Sequence, residues 1–165
     1  MANRLVDNQV QKGFVASGRD IKVDSKVAEE VIPFGKGLKR GTDGEKQVLV
    51  WDGIANTDLF CGFAKETAHD GFEDKQANQY APVAEFRGGE IYLEIDANSG
   101  GVTAGEKVAV LPSGDVDSVS NLSTGTGGTY AVEIGDSEFK QAGNAGDYVV
   151  AEVDLPCDLT VTQLA

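Results

Sequence analysis

Apolar and polar positions alternate most cleanly at residues 90–95, where Ile91, Leu93 and Ile95 interleave with Glu90, Tyr92 and Glu94. Successive side chains of a strand point to opposite faces, so this spacing predicts a half-buried strand with three aliphatic side chains on its inner face. Residues 47–51, 59–64, 81–86, 130–134 and 148–153 carry β-branched and aromatic residues between glycine-marked turns and also read as strands. Residues 156–165 alternate again at Leu159 and Val161 and predict an edge strand. Gly62 sits inside the run LFCGFA, which predicts a bulge or a close backbone approach there. No apolar stripe of helical period appears anywhere, so the chain is expected to be mostly β.

One short device is written twice. Residues 44–53 read GEKQVLVWDG and residues 105–114 read GEKVAVLPSG. Each copy is followed by a strand containing glycine, and each half ends in Glu-aliphatic-Asp. This predicts a β-sandwich or barrel of short antiparallel strands built from two similar halves, about 31–97 and 101–155, within a β domain spanning 31–165. On that reading, 44–53 and 105–114 occupy equivalent places. Coincidence is the competing reading, because Gly62 follows Gly44 by 18 residues while Gly135 follows Gly105 by 30. Residues 65–80 form a polar excursion that reads as an exposed loop, and 117–129 form a second polar excursion rich in glycine, serine and threonine. Residues 1–30 mix charge with isolated valines and carry Arg4, Lys12, Arg19, Lys22 and Lys26. They are expected to form an extended N-terminal arm that lies on a neighbouring subunit. The plainer alternative is a surface segment with a short strand around 21–23.

Composition narrows the function classes. A chain of 165 residues buries ~70% of the surface its unfolded form exposes, so folding needs neither metal nor disulfide. Its 27 acidic residues against 14 basic ones give a net charge of −13, which repels nucleic acid and anionic membranes. No apolar run is long enough for a membrane-spanning helix. The N-terminus has neither an apolar signal core nor a small-residue cleavage site, so synthesis in the cytoplasm without export is expected. Cys61 and Cys157 match no metal or redox spacing and read as free, buried thiols, with a bridge between them as the alternative.

The search for chemistry returns no catalytic residue, no cofactor-binding residue and no metal ligand set. His69 lies among Glu66, Asp70, Glu73 and Asp74, but the spacing fits no zinc or calcium loop and reads as a solvated acidic loop. No G-x-S-x-G elbow occurs, and Cys61 with His69 lacks a third orienting group. Glu90 and Glu94 share one strand face, and the glycine-rich run 124–128 has no strand-then-helix context. The chain is therefore not expected to be an enzyme.

The segment VTAGEKVAVLPSGDV, followed by an aliphatic-Gly strand and then AGDYVVAEV, resembles the capsid decoration or cement proteins of tailed bacteriophages, over about residues 30–155. The excursions 65–80 and 117–129 are not part of that shared pattern. The resemblance implies a structural role: binding the outside of an expanded head and clamping neighbouring major capsid protein subunits, as a trimer in preference to a dimer. It makes Arg4, Leu5, Val10, Phe14 and Arg19 of the arm candidates for coat contacts. Phe34 and Leu38 of the turn 34–38, with Trp51, are candidates for a subunit interface, since exposed aromatics are common anchors. For Trp51, core packing is the competing reading. Two other readings remain. A carbohydrate- or ligand-binding β-sandwich would set Trp51, Tyr80 and Tyr92 on one exposed platform. A small β-barrel enzyme would need His69 inside a pocket.

Overall fold

A computed structural model describes residues 12–16, 21–66 and 76–165. Among these the strands are β1 (Lys22–Ala28), β2 (Ile32–Pro33), β3 (Gly37–Arg40), β4 (Gln47–Val50), β5 (Phe60–Lys65), β6 (Gln76–Ala77), β7 (Pro82–Glu94), β8 (Val108–Val110), β9 (Val116–Ser118), β10 (Tyr130–Ile134), β11 (Ser137–Phe139), β12 (Tyr148–Asp154) and β13 (Leu159–Gln163). Two single-turn 3-10 helices, Thr57–Leu59 and Val119–Asn121, are the helical elements among the described residues. The sequence predicts a mostly β chain, and the structure is one.

Pairing closes part of the large sheet on itself. β1 pairs with β4, β4 with β3, β3 with β5, β5 with β7, and β7 returns to β1. β1 and β4 run parallel, and the other four pairs are antiparallel. Ala28, Leu38, Val48, Ala64 and Val83, one from each of these strands, meet in a single buried cluster. Five strands of a closed ring can share one cluster only on the inside, so this is the interior of a small barrel. Ile32, Phe34 and Ala77 join the same cluster from the β2–β6 ribbon and plug one end of the barrel.

β7 does not stop at the barrel wall. Its first half pairs with β1 and β5, whereas residues 88–94 pair with β12, which in turn carries β11. This extension faces a second sheet of order β13-β10-β8-β9. Ile91, Leu93, Val149 and Ala151 from one sheet and Val108, Val110, Val132 and Ile134 from the other form the larger core. The alternation at 90–95 is the reason the register holds. A one-residue slip would turn Ile91, Leu93 and Ile95 to solvent, at a gross cost of roughly 5–9 kcal/mol.

Gly62 marks the bulge its position predicts. The β3–β5 register shifts between Leu38 and Lys39, opposite Gly62, which has φ +145°. A Cβ there would press into the Phe86 carbonyl oxygen on β7. The extra residue also changes which β5 side chains face inward, so Cys61 and Ala64 both border the barrel interior.

The two Gly-Glu-Lys stretches hold different places. β4 is the second strand of the β3–β4 hairpin and also pairs in parallel with β1, whereas β8 is the first strand of the β8–β9 hairpin and pairs with β10. The equivalence expected of 44–53 and 105–114 is corrected accordingly: short apolar runs take their neighbours from long-range pairing, which the triplet does not encode. The described parts of residues 1–30 join the chain's own sheets. β1 is a barrel strand, and Val15 bridges Ile91 while Gly13 N donates to Tyr92 O at 2.6 Å.

Candidate functional site

The barrel has a polar end opposite its plug. Inward columns alternate along each strand, so β7 continues from Val83 through Glu85 to Arg87, β1 from Ala28 through Lys26 to Asp24, and β3 from Leu38 to Arg40. These charged residues line one opening together with Cys61, and Pro156 and Cys157 border it. Arg87 Nη1 donates to Asp24 Oδ2 at 3.2 Å, and its Nε lies 3.8 Å from Glu85 Oε1. Lys26 Nζ donates to the Glu45 carbonyl oxygen at 2.6 Å, and Cys61 Sγ donates to the Leu38 carbonyl oxygen at 3.5 Å.

Burial decides the protonation chemistry of this opening. Glu85 is 4% exposed, and desolvation pushes its carboxyl above the usual range. The Cys61 thiol, Lys26 and Arg87 oppose that rise without cancelling it. Burial, with Glu85 beside it, also pushes the Cys61 thiol far up, so it is not an activated nucleophile. Both cysteines are free. Among the described residues no group of three His, Cys, Asp or Glu side chains is placed to hold a metal ion. The chemistry of the opening is thus internal charge pairing, which sets strand positions.

Partly buried charges fasten the barrel to the sandwich. Lys36 Nζ meets Asp115 Oδ1 at 2.7 Å, beside a Gly37 N to Gly114 O bond of 2.8 Å. Burial pushes the Asp115 carboxyl up against the opposing pull of Lys36. Lys12 Nζ meets Glu94 Oε2 at 2.8 Å. Oδ1 of the buried Asp117 accepts from Ser99 Oγ, Ser118 N and Asn121 Nδ2, each at 2.7 Å, which makes it a structural node.

Of the residues expected at contact surfaces, Phe34, Leu38 and Trp51 are buried in this chain's own cores. Phe34 and Leu38 pack with the barrel interior, and Trp51 stacks edge-on against Phe60 with ring centroids 5.8 Å apart. The exposure an interface anchor requires is absent there, because the turn 34–38 feeds the inward column of β3. Trp51 Nε1 has no hydrogen-bond partner among the described residues. Phe14 is half-buried, and its carbonyl accepts from Tyr92 N at 2.8 Å. Arg4, Leu5, Val10, Arg19 and His69 lie outside the described residues. Trp51 is buried while Tyr80 is exposed, so the three-ring platform of the carbohydrate reading does not form. Among the described residues, the large apolar side chains that face solvent are Ile21, Val23, Val31, Tyr80 and Tyr148. Of these, the sequence marks only Tyr80 as a contact candidate, on the ring platform that does not form, and places Ile21 and Val23 in a short surface strand.

Comparison with solved structures finds the same fold in a chain of the capsid of Myoviridae phage XM1, with a TM-score of 0.65 at 14% identity, covering 93% of this chain and 98% of that one. A comparison with curated proteins finds no match. Residues 6–154 match the family described as structural cement protein (E217 gp24/Pam3 gp6). That match spans nearly the whole barrel and sandwich, and the chain belongs to the structural cement protein family of bacteriophages, with a structural role in the phage capsid.

Proposed function

We propose that this protein binds the outer surface of a phage head and stabilises contacts between neighbouring major capsid protein subunits. It does so as a homo-oligomer, a trimer in preference to a dimer, without catalysis and without a cofactor. The family match over 6–154 carries this reading. Arg4, Leu5, Val10, Phe14 and Arg19 contact the coat, and Phe34, Leu38 and Trp51 act from behind by fixing the strands through packing. The architecture suits a clamp: two packed cores share strands β5 and β7, and partly buried ion pairs brace the junction. The charge of −13 keeps decorated particles apart and leaves no affinity for packaged nucleic acid. The protein is made in the host cytoplasm and joins the head there. Mixing the purified protein with undecorated expanded heads tests the reading. Binding with a raised temperature of head disruption is expected, and no binding with no protection would overturn it.

A further inference from the structure

The plugged end of the barrel carries an aromatic side chain that the fold does not use. Tyr80 is 69% exposed, the most exposed large apolar residue among those described. Its backbone has φ +63°, the left-handed region that glycine and asparagine occupy readily and aromatic residues seldom do. Tyr80 is also the sole described non-glycine residue with positive φ. The conformation is held on both sides: Tyr80 N donates to Ala28 O at 2.7 Å, and Ala81 N donates to Asn78 O at 3.0 Å. A glycine would fill this turn without strain. The ring therefore costs backbone strain and, with most of its surface in solvent, returns little packing inside the chain, the signature of a side chain whose contacts lie outside it.

Val31, 47% exposed, projects from the same end. Ile32 next to it pairs with Ala77, and Gln79 Nε2 donates to Glu29 O at 3.1 Å, so residues 28–32 and 77–81 run side by side. The charge of this tip narrows its partner. Residues 28–32 and 77–82 include Glu29 and Glu30 and no lysine or arginine. Thr42 donates to the Glu29 carboxylate, and Val50 N donates to Glu30 Oε1 at 2.8 Å, so hydrogen bonds hold both carboxylates in place. Two copies meeting tip to tip would crowd like charges in a chain already strongly negative. The complementary surface is apolar at its centre and basic at its rim.

We infer that Tyr80, with Val31 beside it, is the anchor that enters an apolar, basic-rimmed pocket on a major capsid protein subunit. This inference rests on the cement reading proposed above. The test compares wild type, Tyr80→Gly and Tyr80→Phe in co-sedimentation with undecorated expanded heads, alongside thermal melts and light-scattering masses of the free proteins. Tyr80→Gly relaxes the turn, so its free form should melt no lower than wild type and keep its mass, yet bind heads at least ~10-fold more weakly. Tyr80→Phe should bind within about 3-fold of wild type. Raising salt from ~50 to ~300 mM should weaken wild-type binding, because the rim contacts are screened. Tyr80→Gly binding as tightly as wild type would overturn the anchor while leaving the cement reading intact. A lowered mass for free Tyr80→Gly would make the tip a contact between copies and overturn the coat pocket. A lowered melting temperature would show that the ring packs within its own chain. If wild type itself fails to bind heads, the cement reading falls and the anchor falls with it.

Discussion

The two Gly-Glu-Lys glycines should respond to alanine with opposite signs. Gly105 has φ +91° and nothing within 4 Å of where a Cβ would stand. Gly44 is not in the positive-φ region, and its nearest neighbours would be Arg40 side-chain carbons at 3.9 Å. Neither alanine meets a clash, so only backbone terms remain. Both substitutions gain about 0.4–1 kcal/mol by narrowing the unfolded ensemble. Gly105→Ala alone then loses about 1–2 kcal/mol to the left-handed conformation. The unfolded-state gain cancels between the two variants, so their difference isolates the strain. At about 2–4 °C per kcal/mol for a chain of this size, Gly44→Ala should melt roughly 2–8 °C above Gly105→Ala, with wild type between or near the latter. Thermal melts followed by circular dichroism, with urea midpoints as a second measure, read this directly. If the two variants shift together and by the same amount, the two copies share one backbone and the difference described between them is wrong.

Gly62→Ala should be among the most damaging single changes, because a positive φ and the Phe86 carbonyl both oppose a Cβ; the urea midpoint should fall by the equivalent of roughly 3–5 kcal/mol. Lys36→Met keeps the aliphatic stem but strands Asp115, and a loss of roughly 2–4 kcal/mol is expected from chemical denaturation. Glu85→Gln tests the barrel mouth. A carboxyl whose folded pKa is raised contributes stability below its unfolded value, and that contribution fades as pH climbs to the raised value. The amide should therefore gain on wild type at neutral pH and lose that advantage near pH 4, read as melting temperature against pH. Cys61 should resist alkylation at neutral pH in the native state and react on unfolding, seen as a mass increment.

Strands with a clean period were legible from their letters. The strand expected at 130–134 coincides with β10, that at 148–153 with most of β12, and the edge strand expected within 156–165 is β13 at the border of its sheet. β1 was not legible at its full length, and the reason is physical. Its inward column passes from Ala28 to Lys26 and Asp24, because the barrel is apolar at its plug and charged at its mouth, so no apolar alternation announces a strand. Closure of the ring was equally hidden, since the β1–β4 and β1–β7 pairings join residues far apart in sequence and leave no local mark. At the contact surfaces the difficulty lay in exposure. Phe34, Leu38 and Trp51 have the residue types of anchors but are buried, whereas the exposure of Tyr80 is legible only as part of a platform with Trp51 and Tyr92 that does not form.

β7 gives the molecule a mechanical character that neither core has alone. The same backbone forms one wall of the barrel and one layer of the sandwich, with hydrogen-bonded neighbours along both halves. A pull between the two ends of the molecule runs lengthwise along this strand, so its ladders are loaded in shear, where many bonds must yield at once. A hairpin peeled from its tip gives way one bond at a time. Tension in an expanded shell, entering at one end, would thus be carried through the protein as through a tie rod.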